Sequence, residues 1–158
     1  MDYKTTQFNY YLDECYFHPE RDKEFASETE KNLARKAMEL LWNKESIKAH
    51  DITYSNEAKE RLLGVSHETL VKYGAVSEQT AREMAEGAAK AANAEVGLST
   101  TGIAGPSGGT PEKPVGLIYI GCYINGETYV KECRFQGNRE ENRNAAVEAV
   151  LEFLWAKL

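Results

Sequence analysis

Thr100-Thr101-Gly102-Ile103-Ala104-Gly105-Pro106-Ser107-Gly108-Gly109-Thr110-Pro111-Glu112-Lys113-Pro114-Val115-Gly116, followed by Leu117-Ile118-Tyr119-Ile120-Gly121, is the stretch on which the fold turns. The run Val96 to Thr101 leads into it as a strand, and Val115 to Ile124 leaves it, nearly all apolar, as a strand covered on both faces. Between them stand four glycines and three prolines, too much punctuation for the interior of a helix or strand. A Gly-rich loop between two buried strands offers closely spaced backbone N–H groups, a cradle for phosphate or carboxylate. It is neither a Walker A loop, since no Gly-Lys-Ser/Thr follows, nor G-x-G-x-x-G. On spacing alone, an ordinary surface connection and an anion site fit equally well.

Downstream, Asn125-Gly126 signals a two-residue hairpin, returning the chain antiparallel along Glu127 to Phe135. Asn138 with Glu141 has the form of a capping pair for a last helix, whose apolar set is Ala146, Val150, Phe153 and Leu154. Upstream, Ser77 starts a helix with Ala81, Met84, Ala85, Ala88 and Ala92 on one small-residue face suited to close packing on a sheet. Ser66 reads as the cap of a shorter helix ending at Gly74, and Ser55 as the cap of one ending at Gly64. A short strand is expected over Asp51 to Tyr54. Ser27 with Glu30 forms a further capping box, followed by Leu33, Ala37, Leu40 and Leu41 at helical spacing. Met1 to Phe25 is irregular and rich in aromatic residues, too apolar for a solvated tail, and is expected to lie against its own core or a neighbouring subunit.

Strands alternating with helices, plus one hairpin, predict an α/β chain: a three-layer α/β/α domain over residues 1–158, with residues 1–26 as an aromatic arm. At 158 residues the chain suits one domain with a substantial core. A net charge of −6 and a pI near 5.2 argue against a nucleic-acid partner, because phosphate affinity rests on Lys and Arg. No apolar run approaches the length of a membrane span, and the polar start is no signal peptide. Cys15, Cys122 and Cys133 are odd in number and lack Cys-x-x-Cys spacing, so buried reduced thiols in a cytoplasmic protein are expected. Asp13, Glu14 and His18 match no metal-ligand spacing and read as solvated charges beside buried rings.

Three ordered motifs carry a resemblance: Tyr54 to Val65 (YSNEAKERLLGV), Gly74 to Gly87 (GAVSEQTAREMAEG), and TGIAGPSGGTPEKPVGLIYIG. Together they resemble the CinA C-terminal domain family, which comprises nicotinamide mononucleotide deamidases and the matching domain of competence/damage-inducible CinA proteins. The resemblance covers the chain from about Ile52 to its C-terminus. It implies a mixed, mostly parallel sheet of about five strands including one hairpin.

The resemblance also implies hydrolysis of the carboxamide of nicotinamide mononucleotide, releasing ammonia. An amide is a poor electrophile, so the reaction needs an activated nucleophile, a base that returns a proton to nitrogen, and donors for the tetrahedral oxyanion. The family resembles a serine–lysine hydrolase. Its Tyr-Ser-Asn-Glu-Ala-Lys motif is intact here, so Lys59 matches the general base and Tyr54 an assisting hydroxyl. Read without the family, Lys59 is a solvated helix lysine. The family's Ser-Cys-Thr-Gly-Gly nucleophile motif is absent. The family spacing lands near Ser27-Glu28-Thr29, but Glu30 and Lys31 stand where two glycines belong, so Ser27 reads as a helix cap ahead of a nucleophile. Thr101, Gly102, Gly105, Ser107, Gly108 and Gly109 match the substrate loop, with Lys113 as an added charge or a solvated loop lysine. Gly137-Asn138-Arg139 resembles the family's Gly-x-Arg element, giving Arg139 a phosphate grip or an exposed salt bridge, with Arg143 one turn on. A small-molecule nucleotide is thus the implied ligand, a homo-oligomer the expected assembly, and no cofactor or metal is implied. The missing nucleophile motif leaves a second expectation open, a catalytically inactive nucleotide-binding or regulatory module.

Overall fold

The computed structural model describes residues 53–158. Contacts divide the chain into two units, Met1–His50 and Asp51–Leu158, and everything below lies in the second. Ser27, the Ser27/Glu30 box and the aromatic arm lie outside the described residues, as does the start of the expected strand at Asp51. Thr53 and Tyr54 themselves belong to no strand.

The elements run α1 (Asn56–Leu63), α2 (His67–Tyr73), α3 (Glu78–Ala92), β1 (Val96–Gly102), β2 (Leu117–Ile124), β3 (Glu127–Arg134) and α4 (Arg139–Trp155). Local chemistry sets most boundaries. The Ser55 hydroxyl accepts from Ala58 N at 3.1 Å to start α1, and Gly64 ends it at φ 65°. Asn138 and Glu141 form a reciprocal capping box at the start of α4. Ser66 stands at the cap position of α2, but its hydroxyl makes no cap bond. Glu83 of α3 takes over, accepting from Ser66 N at 2.7 Å and from the Thr69 hydroxyl at 2.6 Å. The carboxylate ties the start of α2 to α3 and adds favourable charge near the helix N-terminus.

The described strands form one sheet in the order β1-β2-β3, and both pairings are antiparallel. The mostly parallel arrangement expected from the resemblance is not what these residues build. The 14 residues of loop between Gly102 and Leu117 carry no crossover helix, so β2 must return beside β1 in the opposite sense. Asn125 and Gly126 both take positive φ, 48° and 96°, as a two-residue hairpin turn between β2 and β3 demands. Strand β2 starts two residues later than its apolar run, because Gly116 at φ 89° is a turn whose N–H donates to Ile103 O.

Alternation along the strands sends successive side chains to opposite faces. One face carries Leu98, Ile118, Ile120 and Cys133, which pack with Ala146, Val150 and Phe153 of α4. The other lies under α3 at backbone distance. A Cβ added at Gly97 would sit 2.1 Å from Ala85 O, and one at Gly121 would sit 2.6 Å from Ala81 O. The Ser99 hydroxyl donates to Ala81 O at 2.6 Å. Helices therefore cover both faces, the three-layer arrangement that the alternation of elements predicts. A second cluster, Leu63, Val65, Leu70 and Met84, binds α1 and α2 to α3.

Gly87 marks the crossing of α1 and α3: a Cβ there would lie 1.7 Å from Leu63 O. Helix propensity alone makes Gly87→Ala stabilising by about 1 kcal/mol. The clash with a backbone oxygen reverses the sign, and a net loss of about 1–3 kcal/mol is expected from denaturant midpoints. A Gly87→Ala chain more stable than its parent would show that α1 does not cross there.

Candidate functional site: a Gly-rich loop tied to three elements

The loop between β1 and β2 is closed at its stem by Gly116 N donating to Ile103 O at 2.7 Å and Ile103 N donating to Leu117 O at 2.9 Å. Within it, Gly105 and Gly108 take φ 94° and 92°, which only glycine adopts without strain, and the Gly105–Pro106 peptide is cis. Residues 106–112 are exposed, whereas Gly105 and Gly116 are buried. Among the described residues, the N–H groups of Ser107, Gly108 and Gly109 donate to no protein acceptor.

Three elements hold this loop. From α4, Arg139 Nη1 donates to Gly105 O at 2.7 Å, and Asn142 Nδ2 donates to Ala104 O at 3.0 Å. Asn142 is fully buried, and its amide also donates to Gly137 O and accepts from Gly137 N, each at 2.9 Å. From β1, the buried Thr101 hydroxyl donates to Ala75 O at 2.6 Å, joining the strand end to the α2–α3 turn. From within the loop, Lys113 Nζ donates to Tyr73 O at 2.8 Å and Val76 O at 2.7 Å. Lys113 is thus neither a free loop charge nor a solvated side chain. Sequence reasoning missed Asn142 altogether; a lone polar residue at a core position of an otherwise apolar helix face was the available signal.

Lys59 is the other unusual group. Only 6% of its surface is exposed, about one helical turn after the cap at Ser55. Its ammonium donates to Thr53 O, and no carboxylate pairs with it among the described residues. Burial pushes its pKa below the ordinary lysine value, since removing a cation from water disfavours the charged form. The solvated lysine that the helix pattern alone implies is not what folds. Tyr54, by contrast, is 79% exposed. The structure places Thr101 and Gly102 at the end of β1 and Gly105, Ser107, Gly108 and Gly109 on the loop that follows, with Arg139 tied to it. Among the described residues, no hydrogen bond joins Lys59 or Tyr54 to that loop, and Ser27 lies outside them.

Cys122 and Cys133 are buried and unpaired. They do not oppose each other across the hairpin, for Cys122 faces Tyr129 and Cys133 faces Ile118. Among the described residues, no group of three or more His, Cys, Asp or Glu side chains is placed to hold a metal ion. No helix among them is long and apolar enough to cross a membrane.

Comparison with known proteins places this architecture. A family model described as the CinA C-terminal domain matches residues 45–158. A CinA-like protein of Kosmotoga olearia is 60% identical over 103 residues, which are 65% of this chain and 25% of that protein. The chain therefore spans about a quarter of the length of the curated relatives it matches. Among solved structures, the competence/damage inducible protein CihA from Agrobacterium tumefaciens is 47% identical, with a TM-score of 0.64 over 66% of this chain and 64% of that one. A CinA superfamily protein from Klebsiella pneumoniae is 31% identical with a TM-score of 0.66, covering 82% of this chain and 81% of that one. The intact loop, the lysine helix and these matches agree: the chain belongs to the CinA C-terminal domain family.

Proposed function

We propose that this protein seats a nicotinamide mononucleotide-type ligand on the loop from Thr101 to Gly109 and acts as a nicotinamide-nucleotide amidohydrolase, with Lys59 as general base. The observation that carries the reading is the burial of Lys59 with no carboxylate partner among the described residues. An ammonium held that way is biased toward the free amine, the form that takes a proton. In this reading the amine accepts the proton of a serine hydroxyl. The hydroxyl oxygen attacks the carboxamide carbon, and the proton passes to the departing nitrogen, which leaves as ammonia. Water then hydrolyses the ester to nicotinate mononucleotide. The exposed amides of Ser107, Gly108 and Gly109 suit an oxyanion or a phosphate. Arg139 keeps N–H donors beyond the one given to Gly105 O, enough to grip a phosphate. Tyr54 assists at the lysine, and a homo-oligomer in the cytoplasm is part of the same proposal.

A second reading has its own support, the absent Ser-Cys-Thr-Gly-Gly motif. Without its nucleophile, a base and an oxyanion site retain little catalysis, and the protein becomes a nucleotide-binding module. Ammonia release from nicotinamide mononucleotide, set beside calorimetric titration with the same compound, separates the two. Release that disappears in Lys59→Met supports the enzyme; binding without release supports the module; neither one sinks both.

Lys59→Met also tests the buried charge through stability. The folded pKa is depressed, so between it and the unfolded value of about 10.4 the unfolded chain binds more protons. The cost of burying Lys59 is fully present below the folded pKa and fades as pH rises toward about 10.4. Near pH 7 the methionine variant is expected to equal or exceed its parent by about 1 kcal/mol, with any gain vanishing near pH 10. Thermal midpoints across pH measure it, and a large loss at neutral pH would make the ammonium a structural requirement.

A further inference from the structure

We propose that Lys113 is a positioning residue that sets the geometry of the ligand loop from the α2–α3 turn, an inference that rests on the nucleotide-binding reading above. The turn has an unusual need. Its four successive carbonyls, Tyr73 to Val76, are all taken by side chains. Gly74 O accepts from Ser77 and Thr80 hydroxyls at 2.9 and 2.8 Å, Ala75 O from Thr101 at 2.6 Å, and the outer two, Tyr73 O and Val76 O, from Lys113 Nζ. One ammonium thus bridges the end of α2 and the approach to α3. Its charge strengthens both bonds. Gly74, at φ 79°, leaves the room: a Cβ there would stand 3.3 Å from the Lys113 Nζ.

The bridge is transmitted to the loop by contacts on either side of Lys113. Thr110 N donates to Lys113 O at 2.8 Å, and Lys113 N donates to the Thr110 hydroxyl at 3.0 Å. The Thr-Pro-Glu-Lys segment is therefore a closed turn that aims the lysine. Two residues on, Val115 lies against the first arm of the loop. A Cβ at Gly105 would be 2.6 Å from Val115 Cγ1, and one at Gly109 would be 2.8 Å from Val115 N. Glycines at 105 and 109 let the second arm lie this close. Fixing Lys113 on the turn fixes Val115, and Val115 bounds the arm that carries the free amides of residues 107–109. Arg139 and Asn142 hold the same arm from α4. The amides are preorganised between the two clamps, which is what an anion site built of backbone donors requires.

Lys113 is half-buried and its two carbonyl partners lie where water can replace it, so Lys113→Met should fold. The test is hydrogen exchange of the full chain, following the hydrogen-bonded loop amides of Thr110 and Gly116 against those of α3, with calorimetric titration of nicotinamide mononucleotide alongside. In Lys113→Met the loop amides are expected to exchange about tenfold faster while α3 is unchanged, and mononucleotide affinity to fall about tenfold. Lys113→Arg, whose guanidinium can also donate to two carbonyls, should restore both to within about threefold of the parent. Thr110→Val, which removes the hydroxyl that aims the lysine, should reproduce the methionine signature. Unchanged loop exchange in Lys113→Met overturns the proposal. So does equal acceleration in α3, which would mark a merely structural role, and so does an arginine variant that behaves like methionine. If the parent binds no mononucleotide, the nucleotide reading fails on its own, and the exchange comparison still decides whether Lys113 sets the loop.

Discussion

Helix α3 lies so close to the sheet that at two positions only a hydrogen atom fits between them. Gly97 and Gly121 give up their side chains so that Ala81, Ala85 and Ala89 can approach the strands. Interiors are close-packed and yield little to added volume, so this contact fixes both the height of α3 and its lateral position. The Ser99 hydroxyl, donating to Ala81 O, pins the register along the helix axis. With α3 fixed, its N-terminal turn at Ser77 stands above the end of β1, where Thr101 can reach Ala75 O. The mouth of the loop, and the turn that Lys113 grips, follow from this packing.

The site separates into two chemical environments. Around the loop, cations and hydroxyls hold carbonyl oxygens and leave amide N–H groups outward. That polarity suits an anion, and it is produced by the backbone. Around Lys59, the opposite holds: an ammonium has one carbonyl partner among the described residues, and its burial lowers its affinity for a proton. In the family reaction the two would act on the same amide, one moving the proton and the other receiving the negative charge. Within the described residues each is complete by itself.

Much of the fold was written locally. Ser55 and Gly64, Asn125-Gly126, and Asn138 with Glu141 each name a boundary within a few residues, because caps and tight turns are satisfied by neighbours in sequence. Ser66 marks the start of α2 in the same way, but its hydroxyl makes no cap bond, and a carboxylate 17 residues away accepts from its backbone N–H. The antiparallel pairing of β1 and β2 was missed because the resemblance spoke for a whole sheet, while strand sense depends on what the connecting loop contains. The roles of Lys113, Asn142 and Glu83 were invisible for one shared reason. Each satisfies backbone groups far along the chain, and no periodicity records that. The burial of Lys59 is similar: YSNEAK identifies the residue, but only the packing of α1 shows that its charge leaves water.

Cys122 and Cys133 sit on the α4 side of the sheet as small apolar fillers. Desolvation raises the Cys122 thiol to about 11 and pushes Cys133 upward as well. At neutral pH only about one Cys122 in ten thousand carries the reactive thiolate, and the sheet shields even that fraction. The core is consequently indifferent to the redox state of its surroundings. An alkylating reagent reaches these two sulfurs only when α4 lifts away, so their rate of labelling is a built-in clock for opening of the domain.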